Sequence, residues 1–342
     1  MGFLNVLPLN IEDFFMFVNL GHLSPPGHIF PSGHGGFYLS DHLTPVPVFC
    51  PADMIITRIA ESEHVNHGFT DYGITLSVND GEFQIVFGHM SKIHETILEE
   101  AKTFGDIDCE TYTTAGDTYI NCSIWTEIQI SAGDTLGWAG GNPGQLGLDF
   151  GTYDKTKQNE FATARFDDYL YPYSVSPLDY FTEEIHEILI PICGDSYYEM
   201  DMVRTKPPIG GTIDYDIEGT AQGLWFKVGE PLFPEDPHMA LVYHNVDPDM
   251  PIFSIGNSLI GLDYGWYTFT IQDTGYIDRS FDAVKSDGHI YKYNAWYQSP
   301  TPYGHMTLLL QMIDETHLKI EKREITNGSP LQFSNNAVLY DR

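Results

Sequence analysis

The chain has 342 residues, with 48 acidic and 16 basic side chains, a formal net charge of −32 and a hydrophobic fraction of 42%. Such a length buries more than one core, and the hydrophobic fraction is that of folded protein rather than of disorder. The charge excludes nucleic acid as a partner, since no basic stripe can neutralise phosphates, and no apolar run approaches the ~18 residues of a membrane-crossing helix.

Residues 1–20 read as a lead-in segment with an amphipathic piece, Ile11 to Val18. A first domain is expected over residues 21–190. It opens with Pro-Gly turns that carry His22, His28 and His34, which read as loop residues apart from His34. Val46 to Phe49 and Met54 to Ile59 read as two strands around a turn. Tyr72 to Val78 alternates apolar and polar residues, as a half-buried strand does, and Asn79-Asp80-Gly81 is a tight-turn signal before the returning strand Phe83 to Met90. Ser91 is expected to cap a helix from Lys92 to Lys102. Cys109 and Cys122 flank a polar stretch with a turn at Ala115-Gly116-Asp117. A disulfide there, a second one between Cys50 and Cys193, and four free thiols all remain open. Gly140 to Gly144 is a turn between strands, because no Lys-Ser/Thr follows it to make a phosphate loop.

Prolines between Pro172 and Pro191 place a boundary near residues 185–200, and a second domain is expected over 197–342. Its short runs, Thr212 to Ile217, Gly223 to Val228, Met239 to Tyr243, Gly265 to Gln272, His289 to Trp296, His305 to Ile313 and His317 to Glu324, suggest an antiparallel sandwich or barrel. Asp314-Glu315-Thr316 turns the last two into a hairpin. Its many tryptophans and tyrosines read as core. The fold class is therefore mainly β, in two antiparallel domains.

The succession Ile128 to Gly140 followed by Leu146-Gly147-Leu148-Asp149-Phe150-Gly151 resembles the last third of a lysostaphin-type peptidoglycan endopeptidase domain. Val46 to Ile59 resembles that family's strand, turn and strand, and Phe87-Gly88-His89-Met90 its Tyr-x-His-Leu element. The likeness spans residues 21 to 182, and the second domain stays unassigned. It implies a duplicated hybrid motif fold, an antiparallel sheet with a groove. It also implies one zinc on a His, an Asp four residues later and a His on a His-x-His strand, with water in the fourth place.

On that pattern His34 falls on the first ligand and His89 on a catalytic histidine. Tyr38 replaces the Asp, Asp149 replaces the distal His and Gly147 replaces the other His of that strand. Tyrosine keeps its proton to about pH 10, a carboxylate can bind zinc, and glycine does no acid–base work. The resemblance thus leaves His34 and Asp149 as metal candidates, with His28 a further candidate for the same constellation and His89 catalytic only if the protein is active. Asp41 and His42 substitute for the missing ligand only if the chain bends there. His64 and His67 read as polar-loop residues.

With these exchanges the resemblance implies a non-catalytic binding protein that kept the groove and lost hydrolysis. No cofactor is then needed, though zinc is the possible one. Its partner would be an extracellular polymer, a cell-wall peptide or a glycan. The alternatives are an active zinc metallohydrolase with an altered site and a structural extracellular component. Met1 to Val6 lacks the basic start and cleavage site of a signal peptide. The resemblance favours an extracellular or periplasmic protein whose leader is absent from this chain.

Overall fold

The structure, a computed structural model, describes residues 2–114, 116–197, 200–297, 303–324 and 330–342. Ala115 of the expected hairpin turn lies outside these. Among the described residues thirteen strands form one sheet. They are β1 (Phe14–Val18), β2 (Gly35–Leu39), β3 (Val46–Phe49), β4 (Met54–His64), β5 (Phe69–Val78), β6 (Phe83–Ile93), β7 (Asp108–Thr114), β8 (Asp117–Ile130), β9 (Thr135–Ala139), β10 (Gly147–Asp154), β11 (Ser174–Val175), β12 (Cys193–Tyr197) and β13 (Met200–Val203). Eight more close a barrel: β14 (Gly223–Lys227), β15 (Met239–Tyr243), β16 (Pro251–Ile255), β17 (Gly265–Thr268), β18 (Tyr291–Tyr297), β19 (Tyr303–Met312), β20 (His317–Lys322) and β21 (Val338–Asp341). Two short helices, α1 (Glu95–Ala101) and α2 (Glu183–Leu189), belong to the first half. No helix among the described residues is long and apolar enough to cross a membrane.

The sheet runs in the order β13-β12-β1-β2-β10-β6-β5-β4-β8-β7, with β3, β9 and β11 off this path. Among the described strands it is β1 and β12 that pair in parallel, with Phe17 opposite Cys193. The sheet therefore includes the strand of the lead-in segment, and residue 197, where the second domain was expected to start, ends β12. The barrel is an up-and-down meander in which β21 closes on β14, so the choice between sandwich and barrel resolves to a barrel. Arg342 caps the ring of Trp225 at 3.9 Å where the barrel closes.

Three cores hold these layers. One fills the sheet domain around Phe37, Ile56, Ile85, Phe87 and Phe150. A second fills the barrel interior around Trp225, Phe253, Phe281 and Tyr293. The third joins the two: Leu23, Ile29, Phe30 and Phe166 pack on Leu224, Phe226, Ala240 and Val242 of the barrel wall. Strands β14 to β17 are consequently buried on both faces. Such strands show no apolar–polar alternation; β14, β15 and β17 still read as short β-prone runs, whereas β16 opens on Pro251 and does not.

Two expectations are corrected and one open question is resolved. Ser91 caps no helix: Met90, Lys92 and Ile93 pair with β9, so Ser91 stays in β6 and α1 begins only after His94. Thr212 to Ile217 is not a strand, because Tyr215 turns back on Ile213 and the Asp216 carboxylate is held by the backbone N–H groups of Ala162 and Leu224. Cys50 and Cys193 form no bridge. Each thiol is buried and donates to a carbonyl, of Ala52 at 3.0 Å and of Ile209 at 3.3 Å. Cys109 and Cys122, directly opposed in the β7–β8 hairpin, are disulfide-bonded.

Candidate functional site

The groove exists because β6 changes partners. Up to Gly88 it pairs with β10, where Gly88 faces Asp149; from Met90 it pairs with β9, where Met90 faces Ala139. His89 sits at the changeover with φ +60°, a left-handed conformation inside a strand. A non-glycine residue there costs on the order of 1 kcal/mol or more and persists only when its surroundings impose it. Between the diverging strands opens a cavity of about 650 Å³. It is lined by histidines 22, 28, 34, 64, 67 and 89, by Tyr38 and Asp149, and by Gly35, Gly36 and Gly147.

The glycines are steric requirements. A Cβ at Gly147 would lie 2.4 Å from the Phe37 carbonyl oxygen, and one at Gly36 would lie 2.5 Å from that of Leu148. Gly88 leaves the room that the Asp149 carboxylate fills, its hypothetical Cβ meeting Oδ2 at 3.0 Å.

Carboxylates and imidazoles alternate through the site. Asp149 Oδ1 is 3.8 Å from His34 Nδ1, and its Oδ2 is 3.4 Å from His89 Nε2. His89 Nδ1 is 2.7 Å from Asp71 Oδ2, and Asp71 Oδ1 is 3.2 Å from His64 Nε2. Two carboxylates thus face the two ring nitrogens of His89. Asp149, against the opposing effect of burial and with help from Asp71, raises the imidazole to about 9. As an imidazolium, His89 carries a proton on each nitrogen, with Nδ1 hydrogen-bonded to Asp71 and Nε2 in an ion pair with Asp149. The side-chain amide of Gln145 also donates to Asp71 Oδ2, while Asn142 Nδ2 donates to its Oε1 at 3.0 Å. The 2.9 Å approach of Gln145 Nε2 to His89 Nδ1 is then two donors sharing one acceptor. Burial opposes the charge on Asp149, yet His89, His34, His28 and His22 together hold its carboxyl below the usual range.

A second network lies behind the first. The Tyr38 hydroxyl donates to Asp195 Oδ1 at 3.0 Å, and His22 Nδ1 is 2.5 Å from Asp195 Oδ2. Asn245 of the barrel side donates to the same Asp195 oxygen at 2.8 Å and to Asn19 Oδ1 at 3.0 Å. His28, edge-on to His34 at 5.4 Å between ring centroids, is pushed down to about 3 by burial and then by His34. Its loop is fastened to the barrel side by Glu235, whose Oε2 accepts from the N–H groups of Ile29 at 2.8 Å and Phe30 at 3.0 Å.

The structure thus brings His34, His89 and Asp149 together with His28, a further candidate for the same constellation, and adds His22 and His64, which read as loop residues in the sequence. Asp41 and His42 stay apart, with Asp41 bonded to Leu43 and Thr44 in an exposed turn. Asp71, Gln145 and Asp195 belong to no motif in the sequence. Asp71 carries no signal in the alternation, because Tyr72, Ile74, Leu76 and Val78 set the apolar phase and Phe69 and Asp71 fall on the opposite one.

These donors do not compose the zinc centre that the resemblance implies. Burial and Asp195 hold the Tyr38 proton in place, Gly147 offers no atom, and the ring nitrogens of His89 point at carboxylates. His34 and Asp149 remain a pair, and among the described residues no three His, Cys, Asp or Glu side chains form a group that could hold a metal ion.

No protein-family model and no curated protein matches the chain. Among solved structures it is similar to the NMR solution structure of lysostaphin, at 13% identity and a TM-score of 0.28, the match covering 80% of this chain and 90% of lysostaphin.

Proposed function

We propose that the chain is an exported binding protein whose groove at Asp149 takes an extracellular polymer, a cell-wall peptide or a glycan, without hydrolysing it. The observation that carries this reading is the double engagement of His89. With a carboxylate at each nitrogen it holds its proton to about pH 9. A general base working near neutrality needs a free ring nitrogen, and so does a metal ligand. The Cys109–Cys122 disulfide supports an oxidising compartment. The net charge of −32 suits a soluble protein that repels its own kind.

The test is incubation of the purified chain with insoluble peptidoglycan, following protein in the pellet and fragments in the supernatant. Co-sedimentation without fragment release is expected. Release that requires zinc and stops in His34→Ala would establish the metallohydrolase alternative instead. Neither sedimentation nor release would remove the cell wall as partner.

A further inference from the structure

Four rings stand in register across the sheet beside the groove. Tyr112 on β7 faces Tyr119 on β8, Tyr119 faces His64 on β4, and His64 faces Phe69 on β5. Successive centroids are 5.2, 4.9 and 4.2 Å apart. Strand spacing, about 4.8 Å, sets this interval. Tyr112 is exposed, and Tyr119, His64 and Phe69 are half-buried and line the groove. Asp71 lies two residues beyond Phe69 on the same face, so the row leads through Asp71 and His89 to Asp149.

At that end Asp149 is an acceptor in need of donors. Its contacts with His34 and His89, at 3.8 and 3.4 Å, are ion-pair distances, and no hydrogen bond from the described residues reaches it. Its side chain is 35% exposed toward the groove. An ionised carboxylate accepts from up to two hydroxyls side by side.

Resting on the binding reading above, we propose that this row and Asp149 together form the seat of a neutral glycan. Asp149 takes hydroxyl pairs of one sugar, and the rings, stacked on one another in the pairs Tyr112–Tyr119 and His64–Phe69, border the sugars that follow with their apolar edges. Three observations choose this occupant. Of the row's four strands β8, β4 and β5 are paired on both sides and β7 alone has an open edge, so a peptide crossing the row finds no edge to extend beyond Tyr112. The adjacent imidazolium of His89 offsets the charge of Asp149, which disfavours a cationic ligand. The net charge of −32 repels an anionic one.

Calorimetric titration with the tetramer of β-1,4-linked N-acetylglucosamine, and separately with pentaglycine, tests the assignment. The tetrasaccharide should bind and pentaglycine should not. Asp149→Asn and Tyr112→Ala should each weaken the sugar about tenfold, the loss of one good contact. Tyr112 is exposed on an edge strand, so its variant reports on binding even where a groove variant unfolds. Tetrasaccharide binding that both variants leave unchanged overturns the seat. Pellet binding to peptidoglycan without any tetrasaccharide affinity overturns the glycan class and leaves the binding reading standing. Failure of both overturns the two together.

Discussion

His89 and Asp71 are joined by a 2.7 Å contact between Nδ1 and Oδ2 that fixes the protonation of the groove. Because Asp149 faces the other nitrogen, the imidazole titrates near 9 rather than near the ~6.5 of a free histidine.

The sign follows from the raised value. Stabilisation by the charged ring is complete below pH ~6.5 and is lost as pH climbs through about 9. The side chain is 44% exposed, so water screens the pair and the effect is about 1 kcal/mol rather than the full shift. Urea unfolding at pH 6 and pH 9.5 should show that loss in the wild type and not in His89→Gln. A proton NMR titration of the ring with a midpoint near 6.5 would contradict the assignment.

Glu235 is predicted to do the reverse of a salt-bridged acid. Burial raises it to about 7, against the pull of the Ile29 and Phe30 N–H groups. The folded chain binds its proton more tightly than the unfolded chain does, so stability falls as pH rises from ~4.5 through 7. Glu235→Gln keeps an acceptor and discards the charge. It should be about 1 kcal/mol more stable than wild type at pH 8 and indistinguishable at pH 4.5. Paired thermal melts at the two pH values decide this.

Restoring the histidine of the lysostaphin-type motif at position 147 should fail. A Cβ there meets the Phe37 carbonyl oxygen at 2.4 Å, and neither strand can yield without breaking the β2–β10 ladder. Gly147→Ala alone should cost about 2–3 kcal/mol, the range of an overpacked site. Gly27→Ala, whose Cβ would come no closer than 3.8 Å to the Ser24 oxygen, serves as the neutral control. Denaturant midpoints of the two variants give the comparison.

Reducing Cys109–Cys122 should loosen the hairpin selectively. The bond closes a short loop with a sequence separation of 13, for which chain entropy gives about 3 kcal/mol at most. Hydrogen exchange after reduction, or in Cys109→Ser, should accelerate in β7 and the facing part of β8. Amides of β10 and of the barrel should keep their protection.

The strands with one solvated face were legible from alternation, as Tyr72 to Val78 and His317 to Glu324 illustrate. Pro251 to Ile255 was not: the barrel interior covers one of its faces and the joint with the sheet domain the other, so nothing alternates, and unlike its equally buried neighbours it opens on a proline. The helix expected from Lys92 failed for a tertiary reason, the pairing of that segment with β9. In the site, His34, His89 and Asp149 could be placed from a motif. Asp71 and Asp195 could not, since their partners lie 18 residues away at His89 and 173 residues away at His22. The ring row depends on the registers of four strands at once, and no single segment carries it.

The parallel pairing of Phe17 with Cys193 also governs biogenesis. At about 5–20 residues per second, β1 leaves the ribosome some ten to thirty seconds before the strand it joins. Throughout that interval one side of an apolar N-terminal strand is unshielded, and sheet closure must await a long-range contact, the slow kind of folding event. Chaperone dependence during synthesis, relieved once Val203 has emerged, is the expected cost of this chain order.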